Sequence, residues 1–202
     1  MSFIEIYSML KSENIDRDIL YSLICKKIAD KKVLKLTRKI LDSTKDYDVI
    51  YGKSLPIGNY SSQMFANIYL NELDKYLKET LRLKFVYRYM DDVVIILESK
   101  VKAKEVLRLI GIFLGEILGL SLNSKTNIFK ISQGVNFCGY KINVNSMKLI
   151  NRGKKKVVKK IKYIRYMIEN GKTDISSAKR LLTGHLGYMQ IADVGGIVKK
   201  YF

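Results

Sequence analysis

Two adjacent carboxylates, Asp91 and Asp92, lie between two short runs of apolar and aromatic residues, 85–89 and 93–97. Both runs have the length and composition of β-strands, so the segment predicts a hairpin with acidic residues at its tip. Neighbouring carboxylates repel each other unless a cation lies beside them, and oxygen-only sites favour Mg²⁺. A solvated turn is the alternative interpretation, because Asp is common in turns.

The chemistry of such a pair is metal-assisted transfer. Two Mg²⁺ ions, about 3.5–4 Å apart, can activate an attacking hydroxyl group and stabilise a leaving pyrophosphate. Because neighbouring side chains on a strand point to opposite faces, Asp91 and Asp92 cannot ligate equally. This geometry requires a third carboxylate from another strand.

The elements around the hairpin mix helices with strands, which predicts an α+β fold. Apolar residues at helical spacing, strand-like runs and Gly119 as a helix end define them. The predicted elements are two helices within 16–41, a helix over about 63–81, the hairpin, a helix over about 102–118, a strand pair of 127–131 with 135–142, a basic helix over about 152–170 and a helical segment over 174–191.

The composition limits the partners of the chain. With 37 Lys and Arg against 19 Asp and Glu, the net charge is +18, which predicts a polyanionic partner. Nucleic acid is the first choice; an anionic membrane surface, a merely solvated basic surface and a ribosome-associated protein are the alternatives. No apolar run approaches membrane-span length and no secretory signal is visible, so we expect a cytoplasmic protein that does not associate with a membrane. Cys25 and Cys138 lack metal-ligand spacing and are expected to be reduced and buried, and His185 to be structural.

The tetrapeptide Tyr89-Met90-Asp91-Asp92 resembles, in every position, the metal-binding motif of reverse transcriptases. Three further blocks resemble family motifs and follow in the family's order, within about residues 16–140. They are a turn and helix beneath the nascent base pair (55–70), a block with a lysine thought to protonate pyrophosphate (120–126), and the primer-grip hairpin (135–140).

The resemblance implies a right-hand polymerase palm over 1–146 and a small, basic, helical thumb over 147–202, with the fingers absent. It implies an RNA-directed DNA polymerase that transfers a nucleotide from dNTP to a primer 3′-hydroxyl on an RNA template, with two Mg²⁺ ions. The implied site residues are Asp91 and Asp92 for metal, Lys125 as general acid, Pro56, Ile57, Gly58, Asn59, Ser62 and Gln63 for the nucleotide, and Tyr89, Phe137, Gly139, Tyr140, Arg152, Lys154, Lys155 and Lys156 for primer and template.

Two positions narrow the resemblance within the family. Many reverse transcriptases have Gln after the proline and Pro after the serine, where this chain has Ile57 and Gln63. The pattern resembles diversity-generating retroelement and group II intron-like bacterial enzymes, which implies a bacterial or phage source. In the retroelement group the altered turn is linked to error-prone copying opposite adenine; a plain packing role for Ile57 is the alternative.

The beginning of the chain departs from the family. Relatives carry the first catalytic aspartate on a strand before the sequence that survives here as 14–20, and counting back places that aspartate at Tyr7. The nearest carboxylate, Glu5, lies two residues away. We therefore expect the strand and the fingers to be missing, and the Mg²⁺ site to be incomplete. The chain would be an N-terminally truncated enzyme, one half of a split polymerase completed by a separate chain, or an inactive nucleic-acid-binding remnant.

Overall fold

The computed structural model describes residues 15–43, 55 and 60–195, together with the main chain of Ser2–Ile6. The chain divides into two compact units, Met1–Lys130 and Ile131–Phe202.

The first unit is built on a four-stranded antiparallel sheet in the order β2-β3-β1-β4. Its strands are β1 (Ser2–Ile6), β2 (Phe85–Tyr89), β3 (Asp92–Leu97) and β4 (Asn127–Lys130). β3 is buried along most of its length, since it is covered by neighbouring strands on both edges and by helices on one face. Alternation in β2 leaves Phe85, Tyr87 and Tyr89 exposed, as expected for an edge strand with one free face.

Four helices of the first unit pack around this sheet. They are α1 (Arg17–Cys25), α2 (Lys31–Asp42), α3 (Tyr60–Lys75), which continues as a π-helical turn over Tyr76–Thr80, and α4 (Lys100–Leu118). Asp16 and Asp30 begin α1 and α2, because each carboxylate accepts hydrogen bonds from two main-chain N–H groups of the first turn. Gly119, with φ +58°, ends α4 as predicted.

One hydrophobic core joins the sheet to the helices. Val93 and Ile95 of β3 are fully buried against apolar side chains from α3 and α4, among them Leu73 and Ile110. The hydroxyl of the buried Tyr69 donates to the Leu118 carbonyl at 2.5 Å, and burial raises the pKa of Tyr69 to about 12. α3 is thereby fixed to the end of α4 and underlies the sheet.

The second unit combines a small antiparallel sheet with two helices. Strands β5 (Val135–Phe137), β6 (Tyr140–Asn143) and β7 (Ser146–Leu149) pair in that order, and α5 (Asn151–Glu169) and α6 (Ile175–Gln190) follow. Asp174 caps α6 through the Ser177 N–H group. A core of its own contains Leu149, Val157, Ile161 and Met189.

Several expectations about the elements need correction. β4 does not pair with the strand after the Gln133–Gly134 turn but with β1, and residues 135–142 are themselves a hairpin. α3 begins at Tyr60, three residues before the predicted start. Neither cysteine is in a disulfide, but Cys25 and Cys138 are exposed where burial was expected, Cys138 because it lies in a turn.

In the second unit, the hairpin of Phe137 and Tyr140 is hydrogen-bonded to Tyr188 of α6. Within the described residues, no helix is both long and apolar enough to cross a membrane.

Candidate active site

The carboxylate pair lies at a two-residue turn between β2 and β3. Tyr89 pairs with Asp92, so Met90 and Asp91 form the turn and Asp92 is the first residue of β3. Asp91 and Asp92 are half-buried, whereas Tyr89 and Met90 are 53% exposed. Met90 has φ +53°, a left-handed conformation that is unfavourable for a residue with a side chain. The predicted hairpin is confirmed, with Asp92 in the strand and not in the turn.

A strand lies beside β3, where we expected none. β1 pairs with β3 along its length, from Ser2 opposite Leu97 to Ile6 opposite Val93. Ile6 is thus one position from the level of Asp92. The expectation that the chain lacks a strand here is wrong, but Ser2–Ile6 contains no aspartate. Glu5 pairs with Val94, two residues along β3 from Asp92; Tyr7 lies outside the described residues.

Lys125 belongs to the same end of the sheet as the carboxylates. β4 runs parallel to β3, because both are antiparallel to β1 between them, and β4 begins at Asn127 opposite Glu5. Lys125 therefore precedes β4 at the end of the sheet where β3 begins. Since β1 lies between them, the axes of β3 and β4 are two strand spacings, about 10 Å, apart. Its side chain is exposed, and its N–H group is fixed by the Asn123 carboxamide at 2.9 Å.

Arg88 connects the turn to α3, and it was not among the site residues predicted from the sequence. Arg88 donates to both carboxylate oxygens of Asp74 on α3, to the Asn67 carboxamide and to the Met90 carbonyl. Alternation along β2 could have placed Arg88 on the helix-facing side of the strand. Its partners could not have been found from sequence, because they lie 14 and 21 residues away on another element.

The structure describes only some of the residues predicted to line a nucleotide pocket. Pro56, Ile57, Gly58 and Asn59 lie outside the described residues. Ser62 and Gln63 lie in the first turn of α3. Gln63 is exposed and lines an open groove of about 700 Å³ between α3 and the end of α1, where Lys26 and Lys27 lie.

In the second unit, the predicted primer-grip residues form a hairpin. Phe137 pairs with Tyr140, and the turn residues Cys138 (φ +51°) and Gly139 (φ +86°) both have the left-handed φ values of a type I′ turn. The Tyr140 hydroxyl donates to the Tyr188 carbonyl at 3.0 Å, and the Tyr188 hydroxyl donates to the Gly139 carbonyl at 2.7 Å. Tyr188, which the sequence did not indicate, thus fixes the turn to α6.

Glycines make this contact possible. A Cβ atom at Gly139 would lie 2.7 Å from the Tyr188 hydroxyl oxygen, and so would one at Gly153 in the first turn of α5. The Tyr188 hydroxyl is therefore enclosed by the hairpin turn on one side and the start of α5 on the other. Half-burial there raises the pKa of Tyr188.

α5 presents a basic surface to solvent. Arg152, Lys154, Lys155 and Lys156 are all exposed, and phosphate contacts would need that exposure. A groove of about 460 Å³ follows one face of the helix and is lined by Asn151, Lys154, Lys155, Val158, Lys159 and Lys162. Positions 155, 159 and 162 repeat at helical spacing, so the cations follow the helix for about 10 Å. His185 is half-buried on α6.

The carboxylate groups at the turn are of the type that binds Mg²⁺. Carboxylate oxygens are what this hard cation prefers, and Asp91 and Asp92 would hold it. Their number is short of a complete site: among the described residues, no three His, Cys, Asp or Glu side chains cluster together.

Comparisons with known proteins agree with this architecture. The family model "Reverse transcriptase (RNA-dependent DNA polymerase)" matches residues 12–142. A solved structure, apo telomerase from Candida tropicalis truncated from its C-terminal domain, has a similar fold, with a TM-score of 0.57 and 18% sequence identity. The similarity covers 74% of this chain but 35% of the telomerase chain. No curated protein sequence matches. Since the family model covers more than half of the chain, this protein belongs to the reverse transcriptase family.

Proposed function

We propose that the chain is the palm and thumb of an RNA-directed DNA polymerase, with the palm in 1–146 and the thumb in 147–202. The observation that carries the proposal is the Met90-Asp91 turn with Asp92 beginning β3, which lies within the family's matched region, 12–142. In the same sheet, β1 lies beside β3. The reaction is transfer of a nucleotide from dNTP to a primer 3′-hydroxyl on an RNA template.

Each part of the chain has a role in this proposal. Asp91 and Asp92 hold Mg²⁺, which when bound supplies activation of the hydroxyl and charge stabilisation of pyrophosphate. Lys125, at the same end of the sheet, donates a proton to the leaving pyrophosphate. The Pro56–Asn59 segment, Ser62 and Gln63 line the nucleotide pocket.

The remaining roles concern the nucleic acid. Tyr89 and the Phe137–Tyr140 hairpin position the primer end, and α5 holds phosphates through charge without reading sequence. A net charge of +18 supports a polyanionic partner. Ile57 and Gln63 support a bacterial or phage enzyme related to those of diversity-generating retroelements or group II introns. The error rate opposite template adenine tests Ile57: a role in the turn predicts frequent errors there, and a plain packing role does not.

The composition of the carboxylate site favours a second function, binding of nucleic acid without catalysis by this chain alone. Within the described part of the chain, no third carboxylate joins Asp91 and Asp92, and β1 carries Glu5 where no aspartate is present. The chain would then be an inactive nucleic-acid-binding remnant, or one half of a polymerase completed by a separate chain that also supplies the fingers.

Primer extension on an RNA template with Mg²⁺ and dNTPs separates the two functions. Extension by the chain that is lost in Asp91→Ala supports the polymerase. Retention of the template–primer without extension, in both proteins, contradicts it and supports the remnant or split enzyme. Salt-dependent binding alone would not separate them, because both predict it.

A further inference from the structure

The turn that carries Asp91 contains one residue in an unfavourable main-chain conformation. Met90, at φ +53°, has a left-handed main chain, which is unfavourable for a residue with a side chain. A strained residue of this kind persists only when its surroundings hold it. The main-chain contacts of the Met90 peptide therefore decide where the next residue, Asp91, is placed.

Arg88 supplies that hold through its bonds to α3 and to the turn. Its Nη1 atom donates to the Met90 carbonyl at 2.8 Å and to the Asn67 carboxamide at 3.1 Å. Its Nε and Nη2 atoms donate to Asp74, at 2.9 Å and 2.7 Å to the Oδ2 atom. The Arg88 side chain is 16% exposed and that of Asp74 is 27% exposed, so the pair is largely shielded from water.

The shape of the guanidinium group matters here. Asn67 and Asp74 lie seven residues apart on α3, two turns of the same helix face, and one planar group reaches both while it also bonds to the turn. A lysine at this position has one ammonium group and cannot make this fork. The main chain of the turn is thereby fixed to α3, which is itself anchored in the core through Tyr69 and Leu73.

We infer that Arg88 is a positioning residue that sets the geometry of the Asp91–Asp92 metal site by fixing the Met90 carbonyl to α3. This inference rests on the proposed function of that site. Arg88 acts through the turn and not on the substrate, so its loss should weaken metal binding first. Groups that orient metal ligands typically contribute about 10–100-fold to metal affinity or activity.

A metal titration tests the inference without needing turnover. Tb³⁺ is the probe, because its emission is sensitised by a nearby tyrosine and Tyr89 adjoins the turn. The full chain is compared with Arg88→Lys and Asp74→Asn, and Asp91→Asn defines the background signal. Arg38→Lys is the matched control, since Arg38 also pairs with two aspartates, Asp18 and Asp42, in the same unit.

We expect the Tb³⁺ dissociation constant to rise about tenfold in Arg88→Lys and less in Asp74→Asn, and to stay unchanged in Arg38→Lys. Thermal unfolding and template–primer affinity, measured on the same samples, should change little in Arg88→Lys. If Arg88→Lys unfolds, Asp74→Asn, which keeps the shape of the acceptor, carries the test.

The outcomes separate this inference from the proposed function. Tb³⁺ binding by Arg88→Lys at wild-type affinity, with binding lost in Asp91→Asn, overturns the positioning role and leaves the metal site standing. Wild-type binding in Asp91→Asn instead overturns the metal site itself. Loss of affinity in Arg88→Lys that is matched by Arg38→Lys would mean general destabilisation, and would also overturn the inference.

Discussion

Replacing Gly139 with alanine should disturb the predicted primer-grip turn in two ways. Alanine at φ +86° costs about 1–2 kcal/mol in backbone conformation. Its Cβ atom would also lie 2.7 Å from the Tyr188 hydroxyl oxygen. That oxygen is the far end of a side chain and can move, so the second cost is the lost Tyr188–Gly139 hydrogen bond, about 0.5–1.5 kcal/mol. The expected total is about 1.5–3.5 kcal/mol of unfolding free energy.

Gly171→Ala is the matched control. Gly171 has a similar φ of +65°, but a Cβ atom there would meet nothing within 4 Å. It should show the conformational cost alone, about 1–2 kcal/mol. Urea unfolding of the full chain, followed by circular dichroism, measures both variants, and the difference between them isolates the Tyr188 contact.

A double variant makes the test sharper. In a Tyr188→Phe background the hydroxyl is absent, so Gly139→Ala should cost no more than Gly171→Ala. The reasoning is refuted if Gly139→Ala and Gly171→Ala cost the same in the wild-type background, because the Tyr188 hydroxyl would then contribute nothing to the turn.

Three further predictions concern separate parts of the chain. Lys125→Gln should slow nucleotide incorporation about 100-fold or more in rapid-quench assays without changing template–primer affinity, as expected for a lost proton donor; an unchanged rate would remove Lys125 from the mechanism. Lys159→Gln should lower the slope of log affinity against log salt concentration by about 0.7–0.9, whereas Lys104→Gln on α4 should not; equal slopes would argue against α5 as the phosphate surface. Because the pKa of Tyr69 is about 12 when folded and about 10 when unfolded, the unfolded chain loses its proton first. Stability should therefore fall between about pH 10 and 12 by about 2–3 kcal/mol more in wild type than in Tyr69→Phe, and parallel pH curves for the two proteins would contradict this.

Local sequence signals predicted most of the elements. Apolar spacing located α1, α2 and α4, Gly119 marked the end of α4, and the apolar runs on either side of Met90 located the β2–β3 hairpin. Each of these signals depends on neighbours within a few residues. The helix and strand preferences of those neighbours agree with the fold, which is why short-range reasoning was sufficient.

Features that depend on distant residues were not predicted. The sequence of β4 and its neighbours does not indicate that β4 pairs with β1, more than 120 residues earlier, and not with the strand that follows it. Similarly, the short run Ser2–Ile6 was not predicted as a strand, yet two strands flank it. The Arg88–Asp74 pair and the Tyr188–Gly139 bond join residues 14 and 49 positions apart, so only the fold brings them together.

Asp91 is the residue on which the proposed metal-dependent nucleotidyl transfer depends most. Single-nucleotide incorporation on an RNA template across a Mg²⁺ titration, for the chain, Asp91→Asn and Glu116→Gln, tests this dependence. Glu116 is an exposed carboxylate on α4 in the same unit, and controls for the loss of one charge. We expect Mg²⁺-dependent incorporation by wild type and Glu116→Gln that disappears in Asp91→Asn. Incorporation that survives in Asp91→Asn, or that is absent from all three proteins while template–primer remains bound, would contradict the proposed polymerase function.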